Sequence, residues 1–499
     1  MVSVGQTSCM ASVHRVLPPE PIGSLDEYLG RSGGAGLEEA LGRSPEAIIA
    51  EVEASGLRGR GGAGFPTGRK WRTVAGYRSP VTPTTVVVNG AEGEPGTFKD
   101  RTIIRRDPYR VIEGAVIAAR AVGAEGIVFA LKRAFGPEVA RLRAAIGELV
   151  DAGLDRGLTI DVFEGPDEYL YGEETALLEA LDGRLPFPRI APPFRRGLIE
   201  VVEHDDDVAS GSGLSAHVDM AAEGGESLAP PTLVDNVETI ANVPGIIEHG
   251  AEWFRAEGTA ESPGTIVCTV TGQTRRAGVG EVAMGTPLRE IVDEVGGGPR
   301  PGHRIKAVLP GVAQALIPES LLDTPASYEA LAEVGSGLGS AGFIVFDDSA
   351  DMVAVAAGVS RFLAVESCGQ CVPCKADGLE LADTLARMCV EGATDHDVAE
   401  VRKRAATVAD RARCFLATQH QNVVTSLLEC FPDEIRAHAD GRATPTTPVV
   451  VTETRDIDSG RAVIDLRQRE KQPDWTYDEE WSGKWPAQLH AEHRARSTG

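Results

Sequence analysis

Three cysteines, Cys368, Cys371 and Cys374, fall at C-x-x-C-x-x-C spacing in the run Glu366-Ser-Cys-Gly-Gln-Cys-Val-Pro-Cys-Lys-Ala-Asp-Gly378, and Cys414 follows after about one helical hairpin of chain. Short turns of this kind let successive sulfurs point at one face of a cubane while a distant fourth cysteine closes the remaining iron, so the pattern predicts a [4Fe-4S] cluster. Structural zinc is the competing reading. It usually takes ligands as two separated pairs or mixes in histidine, unlike this three-plus-one arrangement. Cys9, Cys268, Cys389 and Cys430 lack ligand spacing, and Cys389 and Cys430 read as core or surface thiols.

A second constellation lies in Gly56-Leu-Arg-Gly-Arg-Gly-Gly-Ala-Gly-Phe-Pro-Thr-Gly-Arg-Lys70, which holds a G-x-G-x-x-G at Gly59, Gly61 and Gly64. The loop follows a helix rather than a strand and lacks G-K-[S/T], so it fits neither the dinucleotide fingerprint nor the ATPase phosphate loop. Its glycines, with Arg58, Arg60, Arg69 and Lys70 in an otherwise acidic chain, form a positive concavity whose bare N–H groups suit a phosphate. A merely flexible loop is the alternative. Glu92 and Glu94, in Asn89-Gly-Ala-Glu-Gly-Glu-Pro95, and Glu173 and Glu174, in Tyr171-Gly-Glu-Glu-Thr175, are either solvated loop charges or an acid–base pair. No histidine accompanies them, and the basic loop argues for a phosphate-bearing cofactor instead.

These residues need a scaffold, and the pattern around them alternates. Residues 36–56 read as one or two helices, with Ser44-Pro45-Glu46 as a start and Ser55-Gly56 as a stop. Thr84–Asn89, Gly126–Ala130 and Thr159–Phe163 read as buried strands, with helices through Val111–Ala121 and Ala176–Leu181. That alternation predicts an α/β layer architecture with ligands beyond the strand ends. From Gly264 to Phe346, β-rich runs surround one helix at Leu288–Val295, predicting a small α+β domain. Residues 349–437 are helical by period and carry the cluster cysteines on their connections. The domains expected are an N-terminal arm (1–35), an α/β unit (36–248) with an exposed acidic insertion (199–228), a small domain (262–347), a helical domain (348–438) and an extended tail (439–499).

At 499 residues the chain has room for about three domains. Its 49 Lys and Arg against 74 Asp and Glu give a net charge of −25, which repels a phosphate backbone and argues against nucleic acid as a partner. Eight cysteines are too few for a disulfide scaffold, and four belong to a site that needs them reduced, which points to the cytoplasm. Met1–Pro21 lacks a signal-peptide pattern and no apolar run reaches bilayer length, so membrane association is expected only through partners.

The runs GLRGRGGAGFPTGRKW, NGAEGEPGTFKDR, YGEETALLEAL, PPF, DNVETIANVP and ESCGQCVPCKADG, in this order, resemble the flavin-bearing, NADH-oxidising subunit of complex I, a family shared with diaphorase subunits of NAD-linked hydrogenases and formate dehydrogenases. The resemblance spans roughly residues 25 to 437. It implies a Rossmann-like FMN domain, a ubiquitin-like soluble-ligand-binding β-grasp domain and a helical bundle ligating one [4Fe-4S] cluster through Cys368, Cys371, Cys374 and Cys414. The FMN contacts it implies are Gly59, Gly61, Lys70, Asn89, Glu92, Gly172, Glu173, Glu174, Val234, Asn236 and Thr239. The NAD(P)H contacts it implies are Phe65, Glu94, Glu174 and Phe194, with the rings stacking on adenine.

Four positions depart from the family pattern. Ala91 stands for an Asp beside the flavin, Asp235 for the first Asn of an Asn-Asn pair, Thr73 for an aromatic residue and Ala191 for the Lys of K-P-P-F. Loss of a ring and a cation predicts nucleotide affinity lower by about ten- to a hundredfold, and a paralogue rather than the housekeeping subunit. The implied chemistry is hydride transfer from NADH to FMN, followed by single-electron transfer to the cluster, with Glu94 and Glu174 orienting the nucleotide. The implied partners are a thioredoxin-like [2Fe-2S] subunit and further electron-transfer subunits of a respiratory complex, formate dehydrogenase or hydrogenase. A non-catalytic, cluster-bearing scaffold is the alternative from another class.

Overall fold

A computed structural model describes residues 13–79, 81–198 and 231–497. Cys9 and the acidic insertion at 199–228 lie outside them. Helices α1 (Leu25–Gly30), α2 (Ala35–Leu41) and α3 (Pro45–Ser55) lead into the glycine loop, and α4 (Thr67–Gly76) leaves it. The start and stop of α3 follow from its residues. Ser44 accepts the Ala47 N–H at 3.2 Å, Pro45 opens the first turn, and Gly56 ends the helix at φ 70°.

Four parallel strands follow: β1 (Thr84–Gly90), β2 (Ala124–Lys132), β3 (Thr159–Gly165) and β4 (Thr232–Asn236), in the order β3-β2-β1-β4. The connections carry α5 (Lys99–Arg106), α6 (Pro108–Val122), α7 (Gly136–Asp151) and α8 (Glu174–Leu181), and α9 (Val237–His249) and α10 (Ala251–Arg255) follow β4. Val86, Val87 and Val88 of β1 are fully buried, as a central parallel strand requires. The sequence pattern did not pick out β4. It is five residues long and ends in Asp235-Asn236, which reads as a turn. Its Val87↔Val234 and Asn89↔Asn236 pairing sets the two asparagines side by side at the carboxyl edge of the sheet.

The second sheet is mixed: β5 (Thr265–Gly272), β6 (Gly278–Ala283), β7 (Ile305–Pro310), β8 (Ile317–Pro318) and β9 (Gly342–Asp347) lie in the order β6-β5-β9-β7-β8, with β5 and β9 parallel. Helix α11 (Leu288–Gly296) packs on it as predicted, while β6, β8 and α12 (Tyr328–Glu333) are too short or too glycine-rich for the pattern to show. The third unit comprises α13 (Met352–Glu366), α14 (Val372–Glu391), α15 (Asp395–Thr407), α16 (Leu416–Cys430) and α17 (Pro432–Ala439).

The tail is not simply extended. It forms a hairpin of β10 (Thr454–Asp458) and β11 (Arg461–Ile464) and a helix, α18 (Pro486–Ser497). It ties all three units together: the Val449 N–H donates to the Ala354 carbonyl on α13, Glu453 meets buried Lys132 at 2.8 Å, and the Ala277 N–H donates to the Gly460 carbonyl. Among the described residues no helix is long and apolar enough to cross a membrane.

Candidate functional site

At the carboxyl edge of the parallel sheet the structure gathers segments far apart in sequence. The glycine loop is pinned where the Arg60 N–H donates to Thr239 Oγ1 at 2.8 Å, and it approaches β4 so closely that a Cβ on Gly61 would lie 3.2 Å from Asn236 Cβ. Asn89 Nδ2 donates to the Gly172 carbonyl at 2.9 Å, joining the β1 end to the turn before α8. Lys70 Nζ sits between Glu174 at 2.9 Å, the Val234 carbonyl at 2.6 Å and Asp235 at 3.7 Å. Burial works against its charge, but Glu174 and Asp235 more than offset this and hold its pKa above the ordinary value.

Several of these groups serve the scaffold as well. Glu92 is buried and accepts the Asp100 N–H at 3.0 Å and Arg101 Nε at 2.9 Å, closing the first turn of α5. Glu173 caps α8 through the N–H groups of Thr175 and Ala176, and burial raises its pKa. Asn236 caps α9 and donates to Asp100 at 2.7 Å. Of the four cations read as one positive concavity, Arg60 turns inward instead. Its guanidinium is fully buried and donates to the carbonyls of Pro263 and Thr265 at 3.1 and 3.0 Å. Arg58 lies over the Tyr328 ring at 4.1 Å.

The amides of Gly61 and Gly62 have no internal acceptor among the described residues. With Lys70 beside them they make a donor set suited to the phosphate of a flavin mononucleotide. Phe65 is half exposed, and Phe194 packs edge-on against Tyr77 at 5.0 Å, so the structure does not bring the two expected adenine-stacking rings into contact with each other. Asp235 accepts Trp71 Nε1 at 2.7 Å and stands near Lys70, which gives the Asn-to-Asp departure an internal role.

Glu94 takes no part in the Lys70 cluster. It accepts the Val312 N–H at 2.6 Å and a short bond from the Tyr169 hydroxyl, which in turn accepts Gln419 Nε2 at 2.9 Å. Burial pushes its pKa up to about 7 against both of those bonds. Tyr169 and Gln419 are the partners of Glu94 that the sequence did not single out. Tyr169 stands directly before the Tyr171-Gly-Glu-Glu turn, which was its only available signal, and Gln419 could be found only from the fold.

Gln419 lies on α16, whose first turn follows Cys414. Cys368, Cys371, Cys374 and Cys414 line one cavity together with Leu170, Pro188, Leu416 and Ala417. Cys368 and Cys371 are on the α13–α14 loop, Cys374 is in the first turn of α14, and Cys414 is on the α15–α16 connection. A single zinc ion with bonds of about 2.3 Å would hold its sulfurs roughly 3.8 Å apart. No three of these thiols lie within 4.8 Å of one another, a spread that suits a polynuclear cluster better than one ion.

Two long helices, α14 and α16, start at the cavity and direct their positive ends at an anionic cluster. Burial raises the Cys374 thiol to about 11 and also raises Cys368 and Cys414. Iron coordination would overcome that cost by binding the thiolates. Cys268 and Cys389 are buried and Cys430 is exposed, all as free thiols.

The family model of the Nuo51 FMN-binding domain matches residues 52–245, and that of the NADH-ubiquinone oxidoreductase-F iron-sulfur binding region matches residues 354–438. The second F-type chain of NADH-quinone oxidoreductase from Rhizobium meliloti is 37% identical over 84% of this chain and 96% of its own. NADP-reducing hydrogenase subunit HndC of Solidesulfovibrio fructosivorans is 33% identical over 88% and 85%. A chain of an NAD+-reducing [NiFe]-hydrogenase in the H2-reduced state superposes with a TM-score of 0.70 at 29% identity, covering 85% of this chain and 67% of that one. With its parallel-sheet FMN-binding domain and its four-cysteine [4Fe-4S] region, this chain belongs to the NADH-ubiquinone oxidoreductase-F family of FMN- and iron–sulfur-dependent oxidoreductases.

Proposed function

We propose that this chain oxidises NAD(P)H at FMN and delivers the electrons singly to its [4Fe-4S] cluster and on to a thioredoxin-like [2Fe-2S] partner and further electron-transfer subunits. The observation that carries this reading is the hydrogen-bonded series Glu94, Tyr169, Gln419, which runs from the turn after β1 to the helix that follows Cys414. FMN, when bound, supplies the exchange between a hydride and two single electrons. The chain's own work is to bind, orient and insulate.

In this reading Lys70, with the amides of Gly61 and Gly62, holds the flavin phosphate, Gly59, whose N–H donates to the Phe65 carbonyl, shapes the loop around it, and Asn89, Gly172, Glu173, Val234, Asn236 and Thr239 frame the flavin. Glu92 shapes the turn through α5. Phe65, Phe194, Glu94 and Glu174 receive the nucleotide, and Cys368, Cys371, Cys374 and Cys414 ligate the cluster. Glu94 in its ionised form accepts hydroxyl protons of a ribose. The unit at 36–248 is a Rossmann-like FMN domain, 262–347 a β-grasp domain and 348–438 the cluster domain, flanked by the arm 1–35 and the tail 439–499. The central parallel pair β5 and β9 with α11 across the sheet supports the β-grasp assignment.

Thr73, Ala191 and Asp235 weaken nucleotide binding relative to the family pattern. Electron flow toward NAD+ or NADP+ in a hydrogenase-type assembly is the second reading, and the likeness to HndC and to the NAD+-reducing hydrogenase chain favours it. The test is protein purified anaerobically with its co-purifying chains. Releasable FMN that NADH bleaches, with ferricyanide reduction, supports the enzyme. A brown, flavin-free protein inert to NADH and NADPH leaves only the scaffold.

A further inference from the structure

His420 is fully buried on α16, and neither of its ring nitrogens has a hydrogen-bond partner. Three helix ends define its place. On α16 it follows Leu416 and Ala417, both of which line the cysteine cavity, by about one turn. Helical side chains lean toward the N-terminus of their helix, which carries the ring back toward that cavity.

On α14, Gly378 lies one turn beyond Cys374, and a Cβ there would stand 3.3 Å from His420 Nδ1 and 3.4 Å from its Cε1. The ring therefore fills the notch that the glycine leaves. The third wall of the notch is Ala364, in the last turn of α13, whose carbonyl accepts Lys375 Nζ at 2.8 Å just before the cysteine loop. Burial lowers the imidazole pKa to about 3, so the ring is neutral, with one N–H donor. A buried donor without an acceptor is unfavourable, and Cys374 lies one turn before Gly378 on α14, the helix against which the ring packs.

We propose that His420 donates its ring N–H to a sulfur of the [4Fe-4S] cluster, or of a cysteine ligating it, and so raises the cluster's reduction potential; this rests on the cluster reading above. A hydrogen bond to sulfur offsets the negative charge that reduction adds, so the reduced form gains more from it. A histidine that only fills space would leave the potential alone.

The test is an EPR-monitored redox titration of the holoprotein as wild type, His420→Leu and His420→Gln. His420→Leu is expected to make cluster reduction about tenfold less favourable, a midpoint about 59 mV lower, and His420→Gln to recover part of the shift. A normal cluster signal with an unshifted potential in His420→Leu overturns the proposal while leaving the cluster reading intact. Absence of any reduced-cluster signal in the wild type overturns both. Should the variants fail to fold, 15N-histidine labelling of a protein that keeps His420 decides. His490, which packs on Phe187 near the loop, is replaced by alanine as background. Pulsed EPR then shows a weak 15N coupling to the reduced cluster, and its absence overturns the assignment.

Discussion

At the strand ends the charged groups answer one another: Lys70 has Glu174 and Asp235, Lys99 has Asp100 and Glu238, and Arg101 has Glu92. At the helix ends around the cysteine cavity, four thiols share one space with Arg413 at its wall, and the buried His420 has no hydrogen-bond partner. In the first region a bound cofactor meets pairs the chain already makes, beside the amides of Gly61 and Gly62, unpaired among the described residues. The second brings four thiols together as a ligand set for a metal cluster. Substitutions at the strand ends should therefore act through a balance of affinities, and those at the helix ends as nearly all-or-none losses.

The sharpest way to break this contrast is Cys414→Ser. Loss of one ligand is expected to abolish the cluster's absorbance and slow electron delivery to a partner by at least ~100-fold, while NADH-dependent flavin bleaching persists. Stopped-flow spectra resolve the two steps. Next in size is Lys471→Met. Lys471 holds buried Glu366 at 2.8 Å, two residues before the cysteine loop, and stranding that carboxylate costs about 3 kcal/mol, read as a lower urea midpoint. Glu366→Gln in the same chain should restore most of it.

At the strand ends, Asp235→Asn keeps an acceptor for Trp71 and releases Lys70 from one carboxylate, so FMN should bind about tenfold more tightly in calorimetry of the deflavinated protein. Thr73→Phe restores a stacking ring worth about 0.5–1.5 kcal/mol, a two- to twelvefold gain in NADH affinity by equilibrium titration. The smallest effect is in pH. Because the folded chain keeps the Glu94 proton that the unfolded chain releases, the stability this proton contributes is present below pH 4.5 and is lost as pH rises through about 7. Glu94→Gln should flatten that slope in Tm measured against pH.

Much of this was legible in the residues because local chemistry forced it. The valines of β1, the Ser44 and Gly56 limits of α3 and the spacing of the cysteines each imply structure without reference to anything distant. What stayed hidden depends on tertiary meeting points. Strand β4 is too short to show a period, Arg60 reads as a ligand cation until its carbonyl partners more than two hundred residues away are known, and nothing around His420 in the sequence marks it as buried without a hydrogen-bond partner. The tail's polar composition likewise concealed a hairpin and helix that gain their partners from all three units.

The central claim is that flavin and cluster form one electron path within this chain. Its most direct measurement is an anaerobic titration with NADH and NADPH, followed at once by flavin absorbance and by low-temperature EPR. The account predicts flavin bleaching accompanied by a reduced-cluster signal that Cys414→Ser eliminates. A cluster signal that appears only with dithionite, beside a flavin that neither nucleotide bleaches, would contradict it.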